Sequence, residues 1–242
     1  MKVSFSLSYF IAFFSLVFLV QEIHDWAHIL AANWICGCFG TKGFDEWTFC
    51  EHCEVSGNIL SLVWLAGPAI NYILVWIAWS MMSRSQSQNT RAFGFSLFFA
   101  ANPFANLFAA FSGGGDVTLS LRMILQNPDN SNHIFIALLS LALILALTIP
   151  PILRSITLLK GRPEKWLIIA GFLIIPNLVK ILVVDKTLNY LLKSGFFDEE
   201  VFLGAPLLVL IWFFSVTIMV MINHNSLLIF IRKKEKRTTL RV

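Results

Sequence analysis

Six separated stretches of this chain are each apolar for about 20 residues, the length a helix needs to cross the hydrocarbon core of a bilayer. They fall near residues 5–33, 57–82, 93–112, 132–152, 165–184 and 203–231. In lipid every backbone N–H and C=O must find its partner within the protein, so such stretches are confined to a bundle of spanning helices. Composition agrees. With 57% hydrophobic residues, 13% charged residues and a mean hydropathy of +0.74, the chain has too few charges to solvate a soluble domain. The expectation is an all-α integral membrane protein with about six transmembrane helices, embedded in the lipid bilayer. The connecting segments 34–56, 83–92, 113–131, 153–164 and 185–202 are too short for a separate PDZ-like or nucleotide-binding module. A single membrane domain, 1–242, ending in a basic tail at 232–242, accounts for the chain. The first run is too long and too poor in N-terminal charge for a cleaved signal peptide, and it is taken as the first span.

Lys and Arg sort onto alternate connections. Lys2, Arg84, Arg91, Arg154, Lys160, Arg162, Lys165, Arg232, Lys233, Lys234, Lys236, Arg237 and Arg241 make thirteen on one side, against four (Lys42, Arg122, Lys186 and Lys193) on the other. Cytoplasmic loops carry the basic excess, so both termini are expected in the cytoplasm, with the plasma membrane as location if the protein is bacterial. The net charge of +4 is largely this bias together with the basic tail, which suits anionic head groups. No nucleic-acid partner is expected from it.

The stretch QEIHDWAHIL at 21–30 places Glu22, His24, Asp25 and His28 where lipid should be. On a helix, His24 and His28 are four residues apart and share a face, so both imidazoles can reach one metal ion, with Asp25 adjacent to the first. This is the geometry of H-E-x-x-H with Asp in place of Glu. In that motif the two His bind zinc and the acid takes a proton from the attacking water. A hydrogen-bonded polar cluster at the membrane interface is the plainer alternative. Glu22 projects from a different face and is expected to be a supporting or interfacial group.

A catalytic zinc needs a third protein ligand and an open position. Asp116 follows three glycines at the end of the third run, which chain reversal places on the side of the His pair. The glycines allow the backbone to unwind where a regular helix would aim the carboxylate badly. An ordinary Gly-rich turn with an Asp at the start of the next helix would read the same way. Asp129 in QNPDN is a second candidate ligand.

Three segments in order, HDWAHILAANWICGCFG, LAGPAINYILVW and NPFANLFAAFSGGGD, resemble the site-2 protease family of intramembrane zinc metalloproteases. Members of that family carry H-E-x-x-H near the end of one core helix, G-P-x-x-N in the next and an Asp beside glycines at the end of a third. The likeness spans roughly residues 20 to 125 and implies a three-helix metalloprotease-like core in 1–125, followed by three additional helices in 126–231. It further implies Zn2+ held by His24, His28 and Asp116, Asp25 as general base, and Asn71 of the Gly67-Pro68-x-x-Asn71 motif helping to hold substrate backbone or the reacting carbonyl near the metal. The implied activity is a zinc-dependent endopeptidase cleaving a transmembrane protein substrate within or near the bilayer. The chain departs from the family in two ways. Asp25 is one methylene shorter than Glu, which favours a weak or inactive relative that binds transmembrane partners. The charge count also puts the loop after His28 outside the cytoplasm, whereas the family's motifs usually lie toward it. A metal transporter is a third reading, which the single ligand cluster disfavours.

All four cysteines lie in or beside loop 34–56, as Cys36, Cys38, Cys50 and Cys53. An exported loop would carry disulfides, and a cytoplasmic one could hold a second zinc with His52. The charges favour disulfides. The loop is a natural cap or gate over the His pair, and its Trp34, Phe39, Phe44, Trp47 and Phe49 suit the interfacial layer. Farther on, Lys180 and Asn177 beside Pro176 interrupt the fifth run, as a functional charge or as a lysine that snorkels. His133 and His224 are read as interfacial.

Overall fold

The computed structural model describes residues 2–3, 6–125, 132–161, 163–228 and 231–232. Within them the regular structure is helical apart from two short antiparallel pairs and an isolated Lys42–Trp47 bridge in the irregular loop 37–56. Helix α1 spans Leu7–Cys36, α2 Gly57–Met81, α3 Gln88–Ala100, α4 Pro103–Phe111, α5 Asp116–Ile124, α6 His133–Leu158 and α7 Lys165–Lys180. A π-helical segment, Ile181–Leu188, leads into α8 (Asn189–Lys193), and α9 covers Leu207–Leu228. Among the described residues six helical stretches, counting α3–α4 as one and α7–α8 as one, are long and apolar enough to cross a membrane. The all-α multi-pass architecture read from the sequence is the one observed.

Strand β1 (Lys2–Val3) pairs with β4 (Ile231–Arg232), so both ends of the described chain lie on one face of the bundle, here the terminal face. Strands β2 (Glu200–Phe202) and β3 (Ala205–Pro206) form a hairpin that enters α9 at the opposite, loop face. Helix α1 is the hub, packing most extensively on α2 and α9. Toward the terminal face its Tyr9 and Phe13 join Phe95, Phe98, Phe99 and Phe172 in a buried aromatic core. The Tyr9 hydroxyl lies 3.0 Å from Ser96 Oγ, a pairing that membrane burial requires of a polar group.

The third run departs from a simple span. The sequence reading gave one helix near 93–112 followed by a loop from 113 to 131. The structure instead breaks the run at Asn102, whose φ is +42°, because Pro103 cannot continue the α3 hydrogen bonds. Asn102 Nδ2 then donates to Asn177 Oδ1 on α7 at 2.8 Å, and Asn177 Nδ2 donates to the Leu173 carbonyl, which re-satisfies polar groups freed at membrane depth. The expected loop contains α5. Thr118 meets Ser140 of α6 at 2.9 Å, and Ser120 Oγ donates to the Ser61 carbonyl of α2 at 3.0 Å. The third crossing is therefore a broken helix completed toward the loop face by α5. The segment 185–202, also read as a connection, stays helical to Lys193 before the hairpin.

Candidate metal centre

Helix α1 presents His24 and His28 from one face, and α2 lies against that face with Gly67. A Cβ on Gly67 would lie 2.7 Å from His24 Nε2 and closer still to His28 Nε2, so only glycine leaves this space open. Pro68 withholds the next amide from the α2 ladder. The third group arrives on the broken crossing. Gly113 and Gly115 have φ of +76° and +81°, and a Cβ on Gly115 would overlap the Ala109 side chain at 2.7 Å. This turn delivers Asp116 as the first residue of α5, where the helix dipole favours a carboxylate. Arg122, in the last turn of α5, donates from Nη2 to the Gly113 carbonyl at 2.8 Å and ties the glycine turn down.

The three side chains converge. His24 Nε2 lies 3.2 Å from Asp116 Oδ2 and 3.2 Å from His28 Nε2, and His28 Nε2 lies 3.5 Å from Asp116 Oδ2. Tetrahedral zinc with bonds of about 2.05 Å requires ligand atoms about 3.3 Å apart, and this triangle meets that requirement on all three edges. His28 Nδ1 donates to the Val63 carbonyl at 2.6 Å, which orients the ring so that in its neutral form Nε2 is the nitrogen free to bind a metal. Among the described residues this is the one group of three or more His, Cys, Asp or Glu side chains close enough to hold an ion. The other candidate ligand, Asp129, lies outside the described residues. His133 begins α6, and His224 is exposed on α9 with Nδ1 donating to the Met221 carbonyl, so neither joins the site.

The depth of the site follows from the helices. His28 stands eight residues before the end of α1, and Gly67 stands ten after the start of α2. At 1.5 Å per residue these positions are about 12 and 15 Å in from the loop face, well inside a span.

Asp25 stands outside the triangle and is 95% buried, with its contacts toward the cysteine loop. Its Oδ1 accepts from Gln21 Nε2 at 3.1 Å, while Oδ2 accepts no hydrogen bond among the described residues and lies 4.0 Å from Lys42 Nζ. Lys42 is the residue that the sequence reading passed over. It comes from the cysteine loop, is 1% exposed, and donates to Glu22 Oε2 at 2.7 Å and to its neighbour's carbonyl at Gly43. Glu22 is thus half of a buried ion pair rather than an interfacial group. Gln21 Nε2 also reaches Asp45 Oδ1 at 3.4 Å, and Asp45 accepts from Lys180 Nζ at 2.7 Å. Lys180 therefore points into the protein as the partner of a loop aspartate and does not snorkel. On α2, Asn71 follows Gly67 by four residues on the same face; it is 7% exposed, and its Oδ1 has no partner among the described residues.

The cysteine loop carries disulfides Cys36–Cys53 and, nested within it, Cys38–Cys50, with Cα separations of 4.9 and 6.1 Å that suit the bond. These pairings leave no cysteine for a second zinc site. The loop folds over the His pair. Trp47 stacks on the His28 ring with centroids 4.7 Å apart and planes 14° apart, and Trp64 of α2 lies 4.7 Å from Trp47. Phe44 is fully buried against Phe18, Val184 and Val209. Trp47 and Phe44 thus pack into the protein rather than the interfacial layer, whereas Trp34 remains exposed. The Lys42 amide donates to the Gly204 carbonyl at 2.9 Å, joining the loop to the β2–β3 hairpin. One sequence signal for the cover was available: Trp64 lies three residues before Gly67 and so shares its face. No family model, no curated protein and no solved structure matches this chain.

Proposed function

We propose that the chain is an intramembrane metal-dependent endopeptidase, with zinc as its metal and a membrane-protein segment as its substrate. One observation carries the reading: two imidazole nitrogens and a carboxylate oxygen meet with the edge lengths of a tetrahedral zinc site, at membrane depth. Zinc in that position would polarise a peptide carbonyl and make water nucleophilic near neutral pH. The chain's own residues supply the rest. The buried Asp25 Oδ2, free of hydrogen bonds, accepts the proton of the attacking water and returns it to the leaving amine. Asn71 Oδ1 accepts a backbone N–H from extended substrate, an exchange that gives a buried acceptor the partner it lacks. Trp47 and Trp64 close the loop face over His28, which is wholly buried, while the Asp116 side chain is 22% exposed and marks the open side. A regular helix hides its carbonyls, so the substrate must unwind locally. In this reading both termini face the cytoplasm and the disulfide-bonded loop faces an oxidising compartment.

A second reading is favoured by the contacts of Asp25. Its carboxylate is shared between Gln21 and the vicinity of Lys42, and being shorter than Glu it serves to hold the cap, leaving a metal-stabilised receptor for transmembrane partners. The zinc content of detergent-purified wild type beside His28→Ala and Asp116→Ala tests the site that both readings share. About one zinc per chain, lost in both variants, is expected; no zinc, or zinc unaffected by either change, defeats both. Reconstitution with transmembrane segments containing helix-weakening residues then separates them. The peptidase reading requires metal-dependent cleavage that Asp25→Asn abolishes while sparing zinc, and the receptor reading requires retention without cleavage.

A further inference from the structure

The terminal face carries a second polar feature, remote from the metal centre. A cavity of about 470 Å³ lies between the C-terminal ends of α2 and α6 and the start of α3, and Arg84, Arg91 and Arg154 all line it together with Trp79, Pro150 and Leu153. Neither the stretch 55–115 nor 130–163 contains an Asp or Glu, so every residue lining this cavity comes from segments without a carboxylate. Arg154 is fixed in place: its guanidinium carbon sits 3.9 Å from the Trp79 ring centroid, and Nη1 donates to the Trp79 carbonyl at 2.9 Å. Arg84 and Arg91 make no side-chain hydrogen bond or ion pair among the described residues, and Arg91 Nε is buried without a partner. Three arginines thus line one cavity with no carboxylate among its lining residues, and a buried N–H without an acceptor is costly. An oxyanion is the group whose acceptors such donors fit.

We propose that this cavity binds a phosphate oxyanion, presented as the head group of an anionic phospholipid. Arginine forks match phosphate oxygens in pairs, and basic pockets between spanning helices suit such head groups. The surface below the cavity selects a lipid over a soluble anion. Leu153, which lines the cavity, is followed down α6 by Ile149 and Leu145 at four-residue spacing, and all three are exposed. They form an apolar track along which an acyl chain can lie beneath a head group held by Arg84 and Arg91.

The test is native mass spectrometry of the full-length protein from neutral detergent, titrated with phosphatidylglycerol, with phosphatidylcholine and, separately, with inorganic phosphate. One phosphatidylglycerol per chain is expected in preference to phosphatidylcholine, and inorganic phosphate at matched concentration should not displace it. At the usual contribution of a basic residue near an anionic lipid, Arg84→Gln weakens retention about 5-fold and Arg84→Gln with Arg91→Gln about 30-fold. Lys193→Gln, an exposed charge that reaches Glu46 of the cysteine loop, should change nothing. Arg84 is exposed and makes no side-chain hydrogen bond or ion pair among the described residues, so its variant should spare the fold. Equal retention of the two lipids, or undiminished retention by the double variant, overturns the proposal. Displacement by inorganic phosphate alone overturns the lipid assignment and makes the cavity a site for free phosphate.

Discussion

Gly67→Ala is the smallest change that bears on the metal centre. The added methyl would stand 2.7 Å from His24 Nε2, where ordinary contact begins near 3.4 Å, so the two must part by about 0.7 Å, and His28 by more. Neither side yields easily, because both imidazoles and the glycine sit on packed helices, and His28 is held by its bond to the Val63 carbonyl. Forcing a methyl into a filled space costs about 1–3 kcal/mol. Concentrated on the two ligand nitrogens, this converts to zinc affinity about 5- to 150-fold weaker. Alanine is the better helix former by about 1 kcal/mol, so α2 itself does not unwind and circular dichroism should be unchanged. Competition for zinc with a chelator of known affinity measures the effect in detergent. Gly171→Ala is the control, since a Cβ there meets only the end of Ile175 at 3.6 Å. Zinc held as tightly by Gly67→Ala as by wild type would refute the assignment of this space to the ion.

Lys42→Met leaves Glu22 and Asp25 buried without their cation and should cost about 3–5 kcal/mol, visible as a lower melting temperature that Glu22→Gln partly restores; an unchanged melt would mean that the pair contributes nothing. Under denaturing but non-reducing conditions a maleimide should label none of the four cysteines, and after reduction all four; labelling before reduction contradicts the nested bridges. Asn177→Leu removes the hydrogen bonds that brace the α3–α4 break and should destabilise by about 0.6–1.7 kcal/mol, the range for polar contacts between spanning helices, with no loss of zinc. In the reconstituted assay, Asn71→Leu should reduce cleavage while zinc content stays at the wild-type level; full cleavage would remove Asn71 from substrate binding.

The spans were legible because lipid imposes a length and a composition that each run satisfies by itself. That His24 and His28 share a face was legible because their spacing is local to one helix, and Asp116 was a candidate to join them because three glycines precede it, although an ordinary glycine turn reads the same way. What escaped the sequence depends on contacts across long separations. Nothing near Lys42 indicates that it will be the cation for two acids on α1, because the cysteine loop must first fold back over the helix. The same holds for Trp47 on His28 and for Lys180 with Asp45, the latter joined across more than a hundred residues. The break at Asn102 was marked by the adjacent Pro103, yet α5 was hidden by glycines and polar residues that read as a loop.

These contacts also bear on where the proposed site opens. The cysteine loop was a natural candidate for a gate, but the Cys36–Cys53 bridge, the Lys42–Glu22 pair and the Trp47–His28 stack fix it to α1, the Lys180–Asp45 pair fixes it to α7, and Cys38–Cys50 closes it on itself. Opening it would expose unpaired charges at membrane depth, which is a heavy cost. The other side of the triangle is held by hydrogen bonds alone, from Arg122 to the Gly113 carbonyl and from α5 to Ser140 and Ser61, with no disulfide and no buried ion pair among the described residues. Asp116 is the most exposed ligand, it follows a glycine turn, and α4 before it leaves Phe108 and Phe111 about four-fifths exposed. A polypeptide arriving from the bilayer would therefore meet the site beside the α4–α5 turn, with the loop serving as a fixed cover that keeps the opposite wall closed. In that arrangement the glycines serve two ends, aiming a carboxylate at the ion and allowing the adjoining helix to yield.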